Sequence, residues 1–436
     1  MRKKFLWFIF IFLSIVIAFT VLYNSLNRYN VYRFFPKDTK VIVKFDNYRD
    51  LSKIESSFWE KYNLEKIRNN PFMKFFPYKD FYLIIDSSSN IYLFSEFSFF
   101  AKYLDDYGKI YQNIFCYTSN KNFKLNKEKI YNKEHVNELL KIKDDISFYV
   151  NVKKSDYLPF IEDRAVYGKI NPIPEYNLLN IDYKYDYDYK NVEVINKKID
   201  RKTVPDRFDM YVNVNMRNFE THYADLRKLF RDSILFNKFF KFKNMIYQKS
   251  GIDIENDILE LVENEVIIGV KNKNDYFAAI NQVEEKELEQ IEFKLSNKFP
   301  MRFETKKYKD HKYRSINLEG VAGFLASGVL KNKLEKIKKP YYTLKNQNLY
   351  FFDSYNFMKN YFDNINTYNL AKDERFLKYK NYSESIDENI EFYLNKRYLN
   401  EIIDDNRIIK YFEDYYGKID FKKRSIQGSL VLKVRK

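Results

Sequence analysis

One stretch of the chain recurs, and this recurrence constrains the fold more than any other feature. Residues 89–107 read SNIYLFSEFSFFAKYLDDY, and residues 347–365 read QNLYFFDSYNFMKNYFDNI. Each has the pattern of a short strand followed by a helix, because apolar and aromatic residues first cluster and then lie three to four apart. With 40 Tyr and 41 Phe in 436 residues, one such match has little weight by itself.

Further matches follow in the same order along the chain. The segment 38–46 (DTKVIVKFD) resembles 207–215 (RFDMYVNVN), 144–152 (DDISFYVNV) resembles 388–396 (ENIEFYLNK), and 165–171 (AVYGKIN) resembles 414–420 (DYYGKID). Collinear matches indicate an internal duplication. We therefore predict a first repeat over 36–200 and a second repeat over 205–436, the second with an insertion at about 241–347.

The predicted fold class is α+β, with two related mixed repeats of antiparallel sheets and packed helices after an N-terminal transmembrane helix. In the recurring stretch, Ser95 and Asp353 stand where an N-cap is expected. Aromatic residues four apart on the following helices are expected in the core: Phe99, Tyr103, Phe357 and Tyr361. The segment 182–190 (DYKYDYDYK) predicts a strand with tyrosines on a buried face and charges on a wet face. The alternative is an aromatic platform for sugars or lipid.

The N-terminus predicts a membrane anchor. Basic residues 2–4 precede residues 5–23, which carry no charge and are long enough to cross about 30 Å of hydrocarbon. The positive-inside rule then predicts a cytoplasmic tail (1–4), an anchor (5–23), a juxtamembrane linker (24–35) and an extracytoplasmic remainder, in a single-pass protein of the cytoplasmic (inner) membrane with its N-terminus inside. A cleaved signal peptide is the alternative, but its apolar region is shorter. The anchor residues are Phe5, Trp7, Ile9, Phe12, Ile15, Ile17, Phe19 and Leu22.

The chain has no recognisable catalytic motif. It holds one cysteine and three histidines, none of them close together, and no glycine-rich phosphate loop. We predict no catalytic, cofactor-binding or metal-binding residues, no cofactor and no enzymatic activity. Cys116 is expected to be a small buried apolar residue.

Charge and glycine content suggest partners. The net charge of +16 comes from lysines dispersed among acidic residues, which favours the membrane as a partner, with lipid or another envelope protein as further candidates, over nucleic acid. The oligomeric state is left open. The segment 319–330 (EGVAGFLASGVL) is uncharged after Glu319, and it predicts tightly packed core, an apolar groove or a membrane contact. The residues concerned are Gly320, Val321, Gly323, Phe324, Leu325 and Gly328.

Several segments in order resemble a known family. They are FPKDTKVIVKF (35–45), SGIDIENDILELVENEVIIGV (250–270), NLYFFDSYNFMKNYF (348–362), ERFLKYK (374–380) and IEFYLN (390–395). This order resembles a bacterial membrane-anchored envelope family known only as domain of unknown function thirty-three fifty-two. The resemblance implies architecture and location, and it brings no catalytic residues.

We therefore expect a non-catalytic, membrane-anchored extracytoplasmic scaffold or binding protein of the bacterial cell envelope. The first alternative is a carrier or bridge for lipid or another hydrophobic ligand in the envelope. The second alternative is an envelope hydrolase, which requires histidines or carboxylates that converge in a pocket.

Overall fold

The computed structural model describes residues 31–46, 80–96, 109–123, 146–152, 164–186, 192–219, 264–298, 301–318, 341–383, 388–396 and 412–435, with short gaps inside some ranges and a few separate residues between them. The chain divides into two compact units. The first comprises Met1–Val152 with Ala165–Asn171, and the second comprises Lys153–Arg164 with Pro172–Lys436.

The first unit is built on an antiparallel sheet. Its strands pair in the order β4–β5–β3–β2–β1–β6. Aromatic residues of the 3-10 turn Val31–Phe34 and the adjoining Phe35 pack on one face of this sheet, against Ile42, Tyr92 and Phe94. The strands are β1 (Thr39–Phe45), β2 (Phe81–Asp86), β3 (Ile91–Glu96), β4 (Lys109–Tyr111), β5 (Ile114–Thr118) and β6 (Ile146–Val152), followed by β7 (Arg164–Ile173).

The second unit has a wider antiparallel sheet, with strands in the order β12–β13–β14–β15–β11–β10–β9–β16–β17–β18–β8. Three helices accompany it: α1 (Glu285–Lys298), α2 (Tyr355–Asn364) and α3 (Glu374–Tyr382). The strands are β8 (Leu178–Asp186), β9 (Met210–Asn215), β10 (Glu265–Lys271), β11 (Asp275–Asn281), β12 (Met301–Tyr308), β13 (His311–Leu318), β14 (Tyr341–Lys345), β15 (Asn348–Phe352), β16 (Ile390–Asn395), β17 (Phe412–Lys422) and β18 (Ser425–Val434).

The two units share an order of strand pairing. In the first, β1 lies between β2 and β6, and Val43 faces Phe148. In the second, β9 lies between β10 and β16, and Val212 faces Phe392. Pairing continues from β2 to β3 and β5, and from β10 to β11 and β15. This order equates β3 with β11 and β5 with β15, whereas the recurring sequence stretch had matched β3 with β15.

The predicted α+β class is wrong. Among the described residues there are eighteen strands and three α-helices, and every strand pairing is antiparallel, so the fold is predominantly antiparallel β. The reason is visible in the hairpin β12–β13, where Lys and Tyr stand at positions that a half-buried strand would give to aliphatic residues. Its sequence carries only a weak strand signal, and cross-strand pairing supplies the rest.

The predicted transmembrane anchor is not supported either. Within the described ranges, no helix combines the length and the apolar character needed to cross a bilayer. The longest, α1, has 14 residues and extends about 21 Å at about 1.5 Å per residue. Residues 5–23, including the eight predicted anchor residues, lie outside the described residues. The single-pass topology and the inner-membrane location depended on this anchor. They are therefore not supported.

The recurring stretch behaves as predicted in its second copy, with one correction. Phe357 and Tyr361 on α2 are each 7% exposed, which confirms that they belong to the core. The N-cap of α2 is Ser354 instead of Asp353, because the Ser354 hydroxyl accepts the Phe357 N–H at 3.2 Å. Phe99 and Tyr103 lie outside the described residues.

A glycine beneath an aromatic ring joins β16 and β17, and it provides a test of the fold. Gly417 faces Phe392 in the register, and a Cβ atom on Gly417 would lie closer than 3.0 Å to the Phe392 ring. We expect Gly417→Ala to lower the free energy of unfolding by about 1–3 kcal/mol, because the ring must leave its position. Urea denaturation measures this cost.

The matched variant is Gly417→Ala combined with Phe392→Leu. Since leucine removes the ring atoms that the new methyl group meets, the double-mutant cycle is expected to show a favourable coupling of about 0.5–3 kcal/mol. Additive costs would contradict the contact.

Candidate apolar binding face

Alternation along the strands separates two faces of the sheet in the second unit. On β9, Tyr211, Asn213 and Asn215 are buried, and the intervening side chains are half-buried. Because successive side chains of a strand point to opposite sides, this pattern continues through the register of every paired strand. We call the side of Tyr211 the core face.

The core face packs against helices. Tyr211, Phe277, Phe352, Tyr393 and Tyr416 project from five different strands into one aromatic cluster. Buried residues of α2 and α3 complete the cluster: Phe357, Met358, Tyr361, Phe362, Phe376 and Tyr379. The helices therefore cover this side of the sheet.

The opposite side carries no charged residue over seven adjacent strands, from β11 to β8. Each strand contributes three side chains, all of them aliphatic, aromatic or glycine. We call these positions the apolar face: Tyr276, Ala278 and Ile280; Val266, Ile268 and Val270; Met210, Val212 and Val214; Ile390, Phe392 and Leu394; Tyr415, Gly417 and Ile419; Gly428, Leu430 and Leu432; and Leu179, Ile181 and Tyr183.

Part of the apolar face remains accessible. Ile268 and Tyr276 are 45% and 41% exposed, Val270, Ile280 and Leu432 are buried, and most of the other side chains are half-buried. The corresponding side of the first unit is far more enclosed: Phe45 and Phe148, which match Val214 and Phe392 in the shared pairing order, are 3% and 8% exposed. An exposed apolar area is the usual mark of a binding surface.

Tyr276 and Tyr183 lie at two corners of the apolar face, and Tyr415 lies along one of its edges. Tyr183 lies over Gly428 on the neighbouring strand, so that its ring fills the space of the missing side chain. Burial raises the pKa of Tyr183 to about 12, so the phenol is neutral at ordinary pH. The hydroxyl of Tyr415 is enclosed and has no hydrogen-bond partner among the described atoms. These phenols add polarity without charge.

Helix α1 lies beyond one edge of the apolar face. Glu292 on α1 accepts hydrogen bonds from Tyr342 Oη on β14 at 2.6 Å and from Arg314 on β13 at 2.7 Å. Leu288 of the same helix is 4% exposed. Strand β14 is thereby tied to α1, and the accessible apolar area is confined to β11 through β8.

The core face contains a buried ion pair. Glu391 on β16 is fully buried, and Arg201, from the 3-10 turn Arg201–Thr203, donates to its carboxylate and to the Tyr211 hydroxyl. Tyr416 Oη donates to the other carboxylate oxygen at 2.6 Å, and Lys380 Nζ of α3 lies 3.9 Å from it. The pair therefore joins the turn and α3 to three adjacent strands.

Electrostatics in this cluster favour a fixed structural ion pair. Burial alone would raise the pKa of Glu391, but Arg201, Lys380 and the Tyr416 hydroxyl outweigh it and hold the pKa below its usual value. Burial lowers the pKa of Lys418, which faces Glu391 on β17, while Glu388 and Glu391 oppose that change. Glu391 is thus ionised, and both of its carboxylate oxygens already accept hydrogen bonds on the core face.

One residue of β8, Asp182, departs from the sequence prediction. Tyr185 is buried, as predicted for the tyrosine face, but Asp182 is only 6% exposed instead of wet. Asn180 donates to Asp182 at 3.2 Å, and Asp182 faces Ser429 of β18 on the core side. Tyr187 and Tyr189 lie outside the described residues.

The predicted groove residues Gly320, Val321, Gly323, Phe324, Leu325 and Gly328 also lie outside the described residues. Cys116 is fully buried, which confirms its assignment as a small buried residue. Among the described side chains, no group of three or more His, Cys, Asp or Glu is arranged to hold a metal ion. His311 stacks on Phe362 with ring centroids 4.4 Å apart.

The apolar face was missed in the sequence, although a signal for it exists. In 210–215 (MYVNVN) and 390–395 (IEFYLN), one set of alternate residues is aliphatic or phenylalanine, and the other mixes Tyr, Asn and Glu. The polar set of a half-buried antiparallel strand ordinarily faces water. Here most of it is buried, and Arg201 and the Tyr416 hydroxyl bind the carboxylate of Glu391.

Comparison with known proteins found no family model, no curated protein and no solved structure that matches the chain. The resemblance to the envelope family remains a prediction.

The ion pair makes a prediction about stability. Arg201→Met is expected to cost about 3–5 kcal/mol, because it leaves the carboxylate of Glu391 buried without its main cation. Arg217→Met is the control: Arg217 pairs with Glu193 at 2.8 Å, but both side chains are more than 60% exposed, and its loss is expected to cost less than about 1 kcal/mol. Equal urea midpoints for the two variants would contradict the assignment.

A second carboxylate predicts a dependence on pH. Burial, with Asp275 nearby, raises the pKa of Asp353 from 3.8 to about 6. The folded state therefore keeps the proton while the unfolded state loses it, so stability falls as pH rises from about 4 to about 6 and then levels off. Asp353→Asn is expected to make the fall in the free energy of unfolding between pH 4 and pH 6 smaller by on the order of 1 kcal/mol, allowing for solvent screening.

Thermal or urea unfolding at pH 4, 5, 6 and 7 measures the Asp353 effect. Asp310→Asn, at an exposed turn, is the matched control. The same pH profile for the wild type and Asp353→Asn would contradict a buried, protonated Asp353.

Proposed function

We propose that the protein is a non-catalytic binding protein that holds the hydrocarbon chain of a lipid on its apolar face. The observation that carries this proposal is the absence of charge over seven paired strands, combined with the partial exposure of their side chains. Of the two binding roles expected from the sequence, this observation favours the hydrophobic-ligand carrier over the protein scaffold.

The chemistry of the face selects the ligand. Its backbone N–H and C=O groups are used in the strand ladders, and its side chains offer only methyl, methylene and ring surfaces and tyrosine hydroxyls. A ligand therefore gains by removing apolar area from water, at roughly 25 cal/mol per Å², and gains almost nothing from polar groups. Charged or strongly hydrogen-bonding ligands would lose their hydration without compensation.

The dimensions of the face favour a long ligand. Seven strands separated by about 4.8 Å extend about 29 Å across the sheet. Small apolar molecules would leave most of this width in contact with water. An extended acyl chain lying across the strands covers it with one continuous hydrocarbon surface.

A hydrolase is less well supported. The buried carboxylate Glu391 is committed to Arg201 and Tyr416 on the core face, away from the apolar face. The described part of the chain places no histidine beside a carboxylate on the apolar face. Binding without chemistry accounts for the arrangement.

Ligand binding can be tested with one variant. We expect the wild type to bind cis-parinaric acid with a rise in its fluorescence, and organic extracts of the purified protein to contain lipid by mass spectrometry. Ile268→Gln, at the most exposed position of the face, is expected to weaken parinaric acid binding roughly five- to tenfold, because it places an amide against the chain.

The control is Phe293→Gln, which changes an exposed apolar residue on α1 that is 69% exposed and outside the apolar face. Its affinity for parinaric acid is expected to equal that of the wild type. Equal effects of the two variants, or no binding by the wild type, would reject the lipid proposal. A wild-type dimer that Ile268→Gln dissociates in sedimentation would instead support the scaffold.

A further inference from the structure

The hairpin β12–β13 concentrates positive charge at the edge of the second unit's sheet. Residues 301–318 include six basic and two acidic residues. Four lysines near its turn are exposed, namely Lys306, Lys307, Lys309 and Lys312. Lys306 is paired with Glu304 at 2.6 Å, and Lys309 is paired with Asp363. The other two have no ion-pair partner among the described residues.

The positions of Lys307 and Lys312 destabilise the folded state. Lys307 and Lys312 face each other directly in the register of β12 and β13. Like charges at opposed positions of an antiparallel pair destabilise it. Lysines often protect the edge strand of a sheet, but Lys312 is on β13, which pairs with β12 on one side and with β14 on the other. Edge protection does not account for it.

The turn of the hairpin is held firmly, so these lysines have a fixed platform. Tyr308 Oη donates to the carboxylate of Asp363 on α2 at 2.9 Å. The ring of His311 stacks on Phe362 of the same helix, with an angle of 7° between the two planes. A platform ordered before binding loses little entropy when a partner arrives.

The register also assigns the lysine pair to a side of the sheet. Lys312 shares its side with Arg314, which faces Tyr342 on β14. Tyr342 faces Phe351 on β15, and Phe351 faces Ala278 of the apolar face. The two lysines and the apolar face are therefore on the same side of one sheet, and α1, which binds Arg314 and Tyr342, packs on that side over β13 and β14.

We infer that the hairpin β12–β13 docks the protein on the anionic surface of a phospholipid bilayer, with Lys307 and Lys312 against the headgroup phosphates. Lysine side chains near such a surface are attracted to anionic lipids. A bilayer also offers hydrocarbon on the side where the sheet is apolar, whereas a polynucleotide offers none. The inference depends on the hairpin charges, and it can hold or fail separately from acyl-chain binding.

The test is sedimentation of the full chain with vesicles of phosphatidylcholine, with and without 30% phosphatidylserine. We expect binding to the anionic vesicles only, and weaker binding as salt is raised. Lys307→Gln with Lys312→Gln is expected to lower the partition coefficient roughly ten- to thirtyfold, as two surface lysines would. Its binding of parinaric acid in solution is expected to equal that of the wild type.

The matched control is Lys184→Gln with Lys423→Gln, which removes the same charge from exposed positions on β8 and in the β17–β18 turn. We expect wild-type vesicle binding. An equal loss in both double variants would show attraction by net charge alone and would overturn the inference. Equal wild-type binding to neutral and anionic vesicles would overturn it as well, as would tighter binding to single-stranded RNA than to anionic vesicles.

Discussion

Alternation of side chains along antiparallel strands is the constraint on which the rest of the structure depends. Because each strand sends successive residues to opposite sides, one sequence must satisfy two environments at once. In the second unit, Tyr211 and Asn213 enter the core face, while Val212 between them enters the apolar face. Every neighbouring strand inherits this division through its register, so a one-residue slip would exchange the two faces.

The core face accepts the charge of Glu391 because that carboxylate has partners of opposite charge and hydrogen-bond donors. Glu391 is buried, yet a guanidinium, a phenol and an ammonium group surround its carboxylate. Such a pair adds little net stability over apolar residues, but it penalises any arrangement that separates its members. It therefore secures the register of β9, β16 and β17, and with it the continuity of the apolar face on the other side.

The two sides support one functional picture. Helices α2 and α3 and the ion pair occupy one side and leave an apolar surface on the other, and the basic hairpin stands at the edge of the same sheet. In the first unit Phe148, on the corresponding side of the sheet, is nearly inaccessible, whereas Phe392 is half-buried. Related pairing orders thus coexist with different degrees of exposure.

Local patterns in the sequence identified several strands and core residues correctly. The segments around β1, β9, β6 and β16 are rich in β-branched and aromatic residues, and the aromatic spacing on α2 placed Phe357 and Tyr361 in the core. The same patterns could not establish that β3 corresponds to β11 instead of β15, because Tyr and Phe recur in nearly every strand. Nor could they show the hairpin β12–β13, because its charged residues interrupt the alternation of apolar and polar positions.

By itself, the sequence determined composition, periodicity and a paired set of motifs, since these depend on residues near one another in the chain. Tertiary structure decided which of two alternating sets is buried. Glu391 looks like a solvent-facing residue in the sequence, and Arg201 and Tyr416, which are far from it in the chain, stabilise its buried carboxylate. Burial of the polar set on the core face places the aliphatic set on the apolar face.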